Sequence, residues 1–220
     1  MSINTYSTIN QTDKGRKWVA VNSTIGTGVA TNSLTAFDNT KATFVLFNNA
    51  ASPPGRIIYP EYVRLLVTTA PAGTAVHYAV TLDTAARGVT STTGCTVANT
   101  DSDAIGTAGN LPTAASIAFA QFGAISLSAA TTKVVNVAQG IFKAKVATPA
   151  AVVNDVYVLN FAQEETGVGN LNNAAEPIRV QTATGLVSVG PGGLFAFHTW
   201  VVGSAGAASY ELEAGWWELS

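Results

Sequence analysis

The chain is poor in the groups that chemistry usually needs. One cysteine, Cys95, stands among 220 residues, so no intrachain disulfide forms and no thiolate cluster is available for zinc. It lies in STTGCTVANT without a histidine or basic neighbour to lower its pKa, and a buried, inert thiol is expected. Histidine occurs twice, at His77 and His198. Neither is matched with Asp or Glu at a ligand-like spacing, so both are expected as ordinary sheet-surface residues. Charged residues make up only 11% of the chain, the net charge is −2, and the cations are scattered. Binding to nucleic acid requires a basic patch that neutralises phosphates; only Lys14, Arg16 and Lys17 gather, and direct nucleic-acid contact is not expected. No apolar run approaches membrane-spanning length, and the start, MSINTYSTINQTDKGRKW, lacks the basic and apolar regions of a signal peptide. The expectation is synthesis in a cytoplasm with no membrane partner. No stretch longer than ten residues carries a capped helical stripe.

What the chain does have is β-strand pattern. From Lys41 to Asp83 it runs KATFVLFNNAASPPGRIIYPEYVRLLVTTAPAGTAVHYAVTLD, three strand-type runs separated by turn residues. The apolar run from Thr43 to Phe47 predicts a strand buried on both faces or at a subunit contact. Asn48 to Gly55 brings Asn-Asn, Pro-Pro and Gly, which stop the strand and force a corner. The run from Ile57 to Thr69 resumes, with Pro60 predicting an edge or a bulge. In the third strand Val76, Tyr78, Val80 and Leu82 alternate with His77, Ala79, Thr81 and Asp83, which predicts one core face and one partly wet face.

The same punctuation organises the rest. Residues 1–40 read as an N-terminal arm followed by a first strand, Lys17 to Val21; residues 41–220 read as a single β-sandwich domain. Within it, residues 84–132 carry almost no charge and form an ordered, loop-rich excursion with weak strand character near Ile117 to Leu127. Further strands are predicted at Val134 to Val137, Ile141 to Val146 and Val152 to Phe161, broken by Gln139-Gly140 and Thr148-Pro149. Ile178 to Thr182 follows, and then Leu194 to Val202 and Ser209 to Leu219 close the fold after the turn Gly190 to Gly193. Roughly eight to ten strands between turns suit an all-β, antiparallel β-sandwich or jelly roll. No fixed-period repeat points to a propeller or solenoid.

No catalytic, cofactor-binding or metal-binding residue is assigned. Serines are frequent, but no Gly-x-Ser-x-Gly elbow precedes a helix. Glu164 and Glu165 point to opposite faces if extended, whereas Glu211 and Glu213 share a face and read as the solvated side of an edge strand. Asp101-Ser102-Asp103 with Gly106 lacks the ligand series of a calcium loop. Gly26-Thr-Gly28 and Gly167-Val-Gly169 lack the helix that phosphate cradling needs and read as turns. Trp216 and Trp217 are adjacent in a strand, so one anchors the core and the other faces outward. Low charge favours assembly, because a surface covered by neighbours needs few charges to stay dispersed. The interface candidates are Lys14, Arg16, Lys17, Trp18, Trp216 and Trp217.

The run TFVLFNNAASPPGRIIYPEYVRLLVTT, continued by GTAVHYAVTLD and closed by GLFAFHTWVVGSAGAASYELEAGWWEL, resembles virion structural proteins of tailed bacteriophages with jelly-roll-like domains. The likeness is greatest to the auxiliary head proteins called cement or decoration proteins. It covers about residues 41–83 and 190–220 and lies in the succession of strand, Asn-rich corner and aromatic closing strand. The resemblance implies a homo-oligomer, commonly a trimer, on the capsid surface, with the major capsid protein of a phage head as partner and no cofactor. The residues 1–17 and 84–132 are the expected bridging contacts. Two other functions stay open: a tail or fibre adhesin that binds cell-surface glycan through Trp200, Trp216 or Trp217, and a polysaccharide-acting enzyme that uses Glu211 or Glu213.

Overall fold

The computed structural model describes residues 17–49, 56–85, 87–90, 95–100, 116–144, 151–161, 178–182, 187–203 and 206–219. The interface candidates Lys14 and Arg16, together with Asp101, Asp103, Glu164 and Glu165, lie outside them. Thirteen strands form in the described residues: β1 Lys17–Asn22, β2 Val29–Ala30, β3 Lys41–Asn48, β4 Ile57–Thr69, β5 Ala75–Asp83, β6 Val89–Thr90, β7 Cys95–Asn99, β8 Ala118–Leu127, β9 Val134–Ala144, β10 Val156–Asn160, β11 Ile178–Thr182, β12 Leu194–Val202 and β13 Ser209–Leu219. Two sheets pack face to face as a β-sandwich. Sheet A has the order β11-β10-β4-β13-β1-β7, with β2 also paired to β13; sheet B has the order β6-β8-β3-β12-β5-β9. Every pairing is antiparallel except β10 with β11, which is parallel.

Consecutive strands are divided between the sheets. β3 and β5 lie in sheet B and β4 in sheet A, while β12 lies in sheet B and β13 in sheet A. The chain therefore passes from sheet B to sheet A after β3, and the buried Asn48 amide ties the end of β3 to the residue before β4 and to Val189. The Asn48 side chain donates to the carbonyls of Arg56 and Val189, both at 2.8 Å. Its backbone exchanges bonds with Gly193 and Gly192 in the turn before β12. Gly192 has φ of 76°, a left-handed conformation that favours glycine.

The core lies between the sheets, where inward residues of β1, β4, β10 and β13 meet those of β3, β5, β8, β9 and β12. Aromatic rings carry much of the contact. Phe142 of sheet B stacks on Tyr157 of sheet A with centroids 5.0 Å apart, and Phe161 meets Phe195 edge-on at 5.4 Å. Cys95 is buried in this core, and desolvation pushes its thiol up to about 11, the inert role its surroundings in sequence predict.

Two local readings change in the folded chain, and at Pro60 the bulge, of the two expected alternatives, is the one found. Gln139-Gly140 does not break a strand, since β9 is continuous; Gly140 pairs with Tyr78, and a Cβ there would stand 2.8 Å from the tyrosine oxygen. Glycine here makes room for a ring. Pro60 sits in β4, which is an interior strand, and opposite it the β13 register shifts between Gly215 and Trp216. The bulge accommodates the missing N–H. The second face of β5 is drier than expected: Ala79, Thr81 and Asp83 are buried, and on that face only His77 is half-exposed. The excursion of residues 84–132 contributes β6, β7 and β8, and the last is a ten-residue strand paired on both sides.

Phe195, fully buried between both sheets, tests this core. Phe195→Ala is expected to cost about 3–5 kcal/mol in equilibrium urea unfolding, whereas Ile25→Ala, at a residue 94% exposed, should change stability by less than about 0.5 kcal/mol.

Candidate interaction surfaces

The outward residues of sheet A form a charged and aromatic face. Lys17, Val19 and Val21 alternate outward from the buried Trp18, Ala20 and Asn22 of β1. Lys17 pairs with Glu61 at 2.7 Å and lies 4.8 Å over the ring of Trp217. Beside it Tyr62 covers Gly215, where a Cβ would come within 2.5 Å of the ring. The Tyr62 hydroxyl donates to Glu213 at 2.7 Å, and Arg64 donates to the other carboxylate oxygen at 2.9 Å. Desolvation, reinforced by this bond to a carboxylate, pushes the Tyr62 phenol well above its usual range.

Of the interface residues read from sequence, the structure brings Lys17 and Trp217 together on this face. Trp18 and Trp216 pair across β1 and β13, and both turn into the core. That is a correction for these two as contacts: side chains 6% and 0% exposed offer a neighbour no surface. The division of the Trp216-Trp217 pair between core and outer face follows the strand alternation. Trp216 also donates from its indole to Glu218, a buried carboxylate that accepts the Ser116 hydroxyl and the Ile117 amide. Arg56 lies 3.7 Å from it. Glu218 thus ties the last strand of sheet A to the start of β8 in sheet B.

Glu211 and Glu213 share the outer face, as their spacing predicts. They are not on an edge, however, because β13 lies between β4 and β1. Glu213 is engaged by Tyr62 and Arg64, and no hydrogen bond or ion pair joins the Glu211 carboxylate to any described residue.

The exposed part of the outward face of sheet B is poor in charge and rich in aromatic residues. Trp200, His77 and Ile141 are cross-strand partners in one row, and Phe47 and Phe119 are partners in another. His77 stacks on Trp200 at 5.3 Å, and Phe37 leans against the same indole at 5.6 Å. Phe119 is 44% and Ile141 43% exposed.

Part of this face is roofed by residues 34–40 and by the segment that carries Arg87, and polar groups are buried beneath. Arg87 and Asp83 pair at 2.8 Å with both side chains 2% exposed. The guanidinium also donates to the Asn39 carbonyl, and the Thr132 hydroxyl donates to Asp83, each at 2.8 Å. A buried pair of this kind is tolerable only with such added bonds.

His198 is in this layer and not on the surface. Its Nδ1 lies 2.8 Å from the Lys41 carbonyl, which can only accept, so Nδ1 carries the proton and Nε2 accepts from Thr81 at 3.0 Å. Burial pushes the pKa down to about 4; the Lys41 bond and Asp38 oppose this, and Arg87 adds to it. Sequence reasoning placed His198 in a strand but gave no sign of the roof above it.

Among the described residues no three His, Cys, Asp or Glu side chains converge to hold a metal ion. No protein family, curated protein or solved structure was found to match the chain.

The buried neutral imidazole gives the fold a pH dependence of defined sign. In the unfolded chain His198 binds a proton near its ordinary pKa of about 6.5, while the folded chain does not until about pH 4. Its contribution is complete above pH 6.5 and is lost as pH falls toward 4, by about 3 kcal/mol. Urea unfolding at stepped pH should show this slope, and His198→Gln should flatten it.

Proposed function

We propose that the protein is a structural component of a bacteriophage virion, a cement or decoration protein that assembles as a small oligomer, a trimer, and bridges units of the capsid shell. The observation that carries this reading is the division of charge between the two sheets. The strands of sheet A contain Lys17, Glu61, Arg64, Arg179, Glu211, Glu213 and Glu218; those of sheet B contain only Lys41, Asp83 and Lys143. The three in sheet B lie at or next to strand ends, and Asp83 is held in its buried pair. Three of its strands, β6, β8 and β12, have no charge at all.

A sandwich with one charge-poor, aromatic face is suited to lie against another protein, since contact cores are depleted in charge and rich in aromatic residues. Scattered exposed hydrophobics are ordinary, whereas a continuous patch signals interaction. Phe37, Trp200 and Ile141 gather at one end of this face around His77, and Phe119 with Phe47 forms a second, separate apolar site six positions along the strands. Sheet A, with its ion pairs, suits a wetter contact.

Less supports glycan binding through tryptophan. Trp216 is buried, Trp200 is already engaged by His77 and Phe37, and Trp217 lies under Lys17. A carboxylate pair for polysaccharide chemistry is likewise disfavoured by the commitment of Glu213 to Tyr62 and Arg64.

Electron microscopy of purified particles containing this protein is expected to place its density on the head shell. Phe119→Ser combined with Ile141→Ser should leave the fold intact and reduce both oligomer mass in solution and occupancy on the shell. Density at the tail, or a monodisperse monomer that never joins particles, would overturn the reading.

A further inference from the structure

We propose that the outer face of sheet A carries a receptor groove for one Lys or Arg side chain presented by a partner chain. The groove has a volume of about 230 Å³ and lies between β1, β13 and β4, lined by Val21, Asn22, Arg64, Leu66, Glu211 and Glu213, with Ile25 beside it. At ~30 Å³ for each water in the liquid, this is room for roughly seven waters or one long side chain.

The charges in the groove are unequally satisfied. Glu213 lies opposite Val21 on one side and Arg64 on the other. Its two oxygens accept from Tyr62 and Arg64. Glu211 lies opposite Leu66 on β4, and β1 ends at Asn22 before it can supply a partner. Its carboxylate has no hydrogen bond or ion pair with a described residue. The groove therefore presents one uncompensated negative charge beside aliphatic walls.

The rim is held in place. Asn22, buried, donates to the Thr27 carbonyl at 2.7 Å and accepts the Leu212 amide at 2.6 Å. Gly28 is pressed against Thr68, where a Cβ would overlap the hydroxyl. Between these two anchors the turn projects Ile25, 94% exposed. A large aliphatic side chain exposed to water beside an unpaired carboxylate is suited to contact another molecule.

Charge complementarity selects the occupant. A long amphipathic cation satisfies both features, with its methylene stem on Val21, Leu66 and Ile25 and its head group on Glu211. An anionic or neutral group leaves the carboxylate unpaired. This inference goes beyond the shell reading and stands whether or not the protein is found on a capsid, because it concerns the groove alone.

The test uses the full chain and the capped peptide Ala-Leu-Arg-Leu-Ala, with versions that carry Lys, the neutral isostere citrulline, or Leu in place of Arg. Titrations followed by methyl NMR of Val21, Ile25 and Leu66 should show saturable shifts with the Arg and Lys peptides. Citrulline should bind at least about tenfold more weakly, and Glu211→Gln should lose about tenfold toward Arg. Arg64→Gln, which releases Glu213, should gain about threefold. Equal shifts from the citrulline peptide, or no saturable shift from any peptide, would overturn the proposal. Equal binding of the all-apolar peptide would also overturn it and make the groove an apolar contact between copies. Should Glu211→Gln fail to fold, the comparison of Arg with citrulline on the unaltered chain still decides.

Discussion

Aromatic contact between the two sheets is the constraint on which the rest of the structure depends. Tyr78, Phe142 and Phe197 of sheet B form a connected group, and Phe142 continues it across the gap onto Tyr157. A second group runs from Phe44 through Phe195 to Phe161, which follows β10. Such ring pairs add about 0.5–1.5 kcal/mol each beyond their burial, and they set how closely the sheets approach. Glycine makes this possible at Gly140, where the Tyr78 ring occupies the space a side chain would take. Polar ties then lock the ends: Asn48 where the chain passes from sheet B to sheet A, and Glu218 between the closing strand and β8.

Once the aromatic residues are committed to the interior, the two outer faces diverge. Sheet A keeps the ion pairs Lys17 with Glu61 and Arg64 with Glu213, both partly exposed, and pairs of this kind contribute little to stability. Their effect is on what the face can bind. Sheet B carries few charges on its outer side, and the chain covers part of that side with its own loops. The second cluster, of Ala42, Val45, Ile125, Leu127, Leu194 and Ala196, is the result. The roof forces His198, Asp83 and Arg87 into a polar layer where each needs a named partner. The exposed remainder of that face and the groove on the opposite one give the sandwich two chemically distinct surfaces.

Much of the strand inventory was legible, because turn residues and alternation are local signals. Ile57–Thr69, Leu194–Val202 and Ser209–Leu219 coincide with their predicted spans, and Lys17 and Thr182 bound strands as expected. The short strands β2 and β6 were not legible, since two residues of pairing depend on a partner far along the chain. The site was less legible still. Alternation placed Glu211 and Glu213 on one face and divided Trp216 from Trp217, but it did not reveal that Tyr62 and Arg64 engage only Glu213. Nor did it place Trp18 inside, because a strand with two possible faces does not state which one meets the core until its register with β13 is set.

What the sequence determined by itself was the all-β class, the positions of most strands and turns, and the scarcity of charge. Each of these follows from the preferences of a residue and its near neighbours. Tertiary structure alone decided which sheet each strand joins, which face of β1 and β5 is buried, and that Glu211 has no counter-charge among the described residues. Those outcomes depend on pairings between residues distant in sequence, such as Glu211 with Leu66 and His198 with Lys41, and local preference contains no information about a partner that only folding brings near.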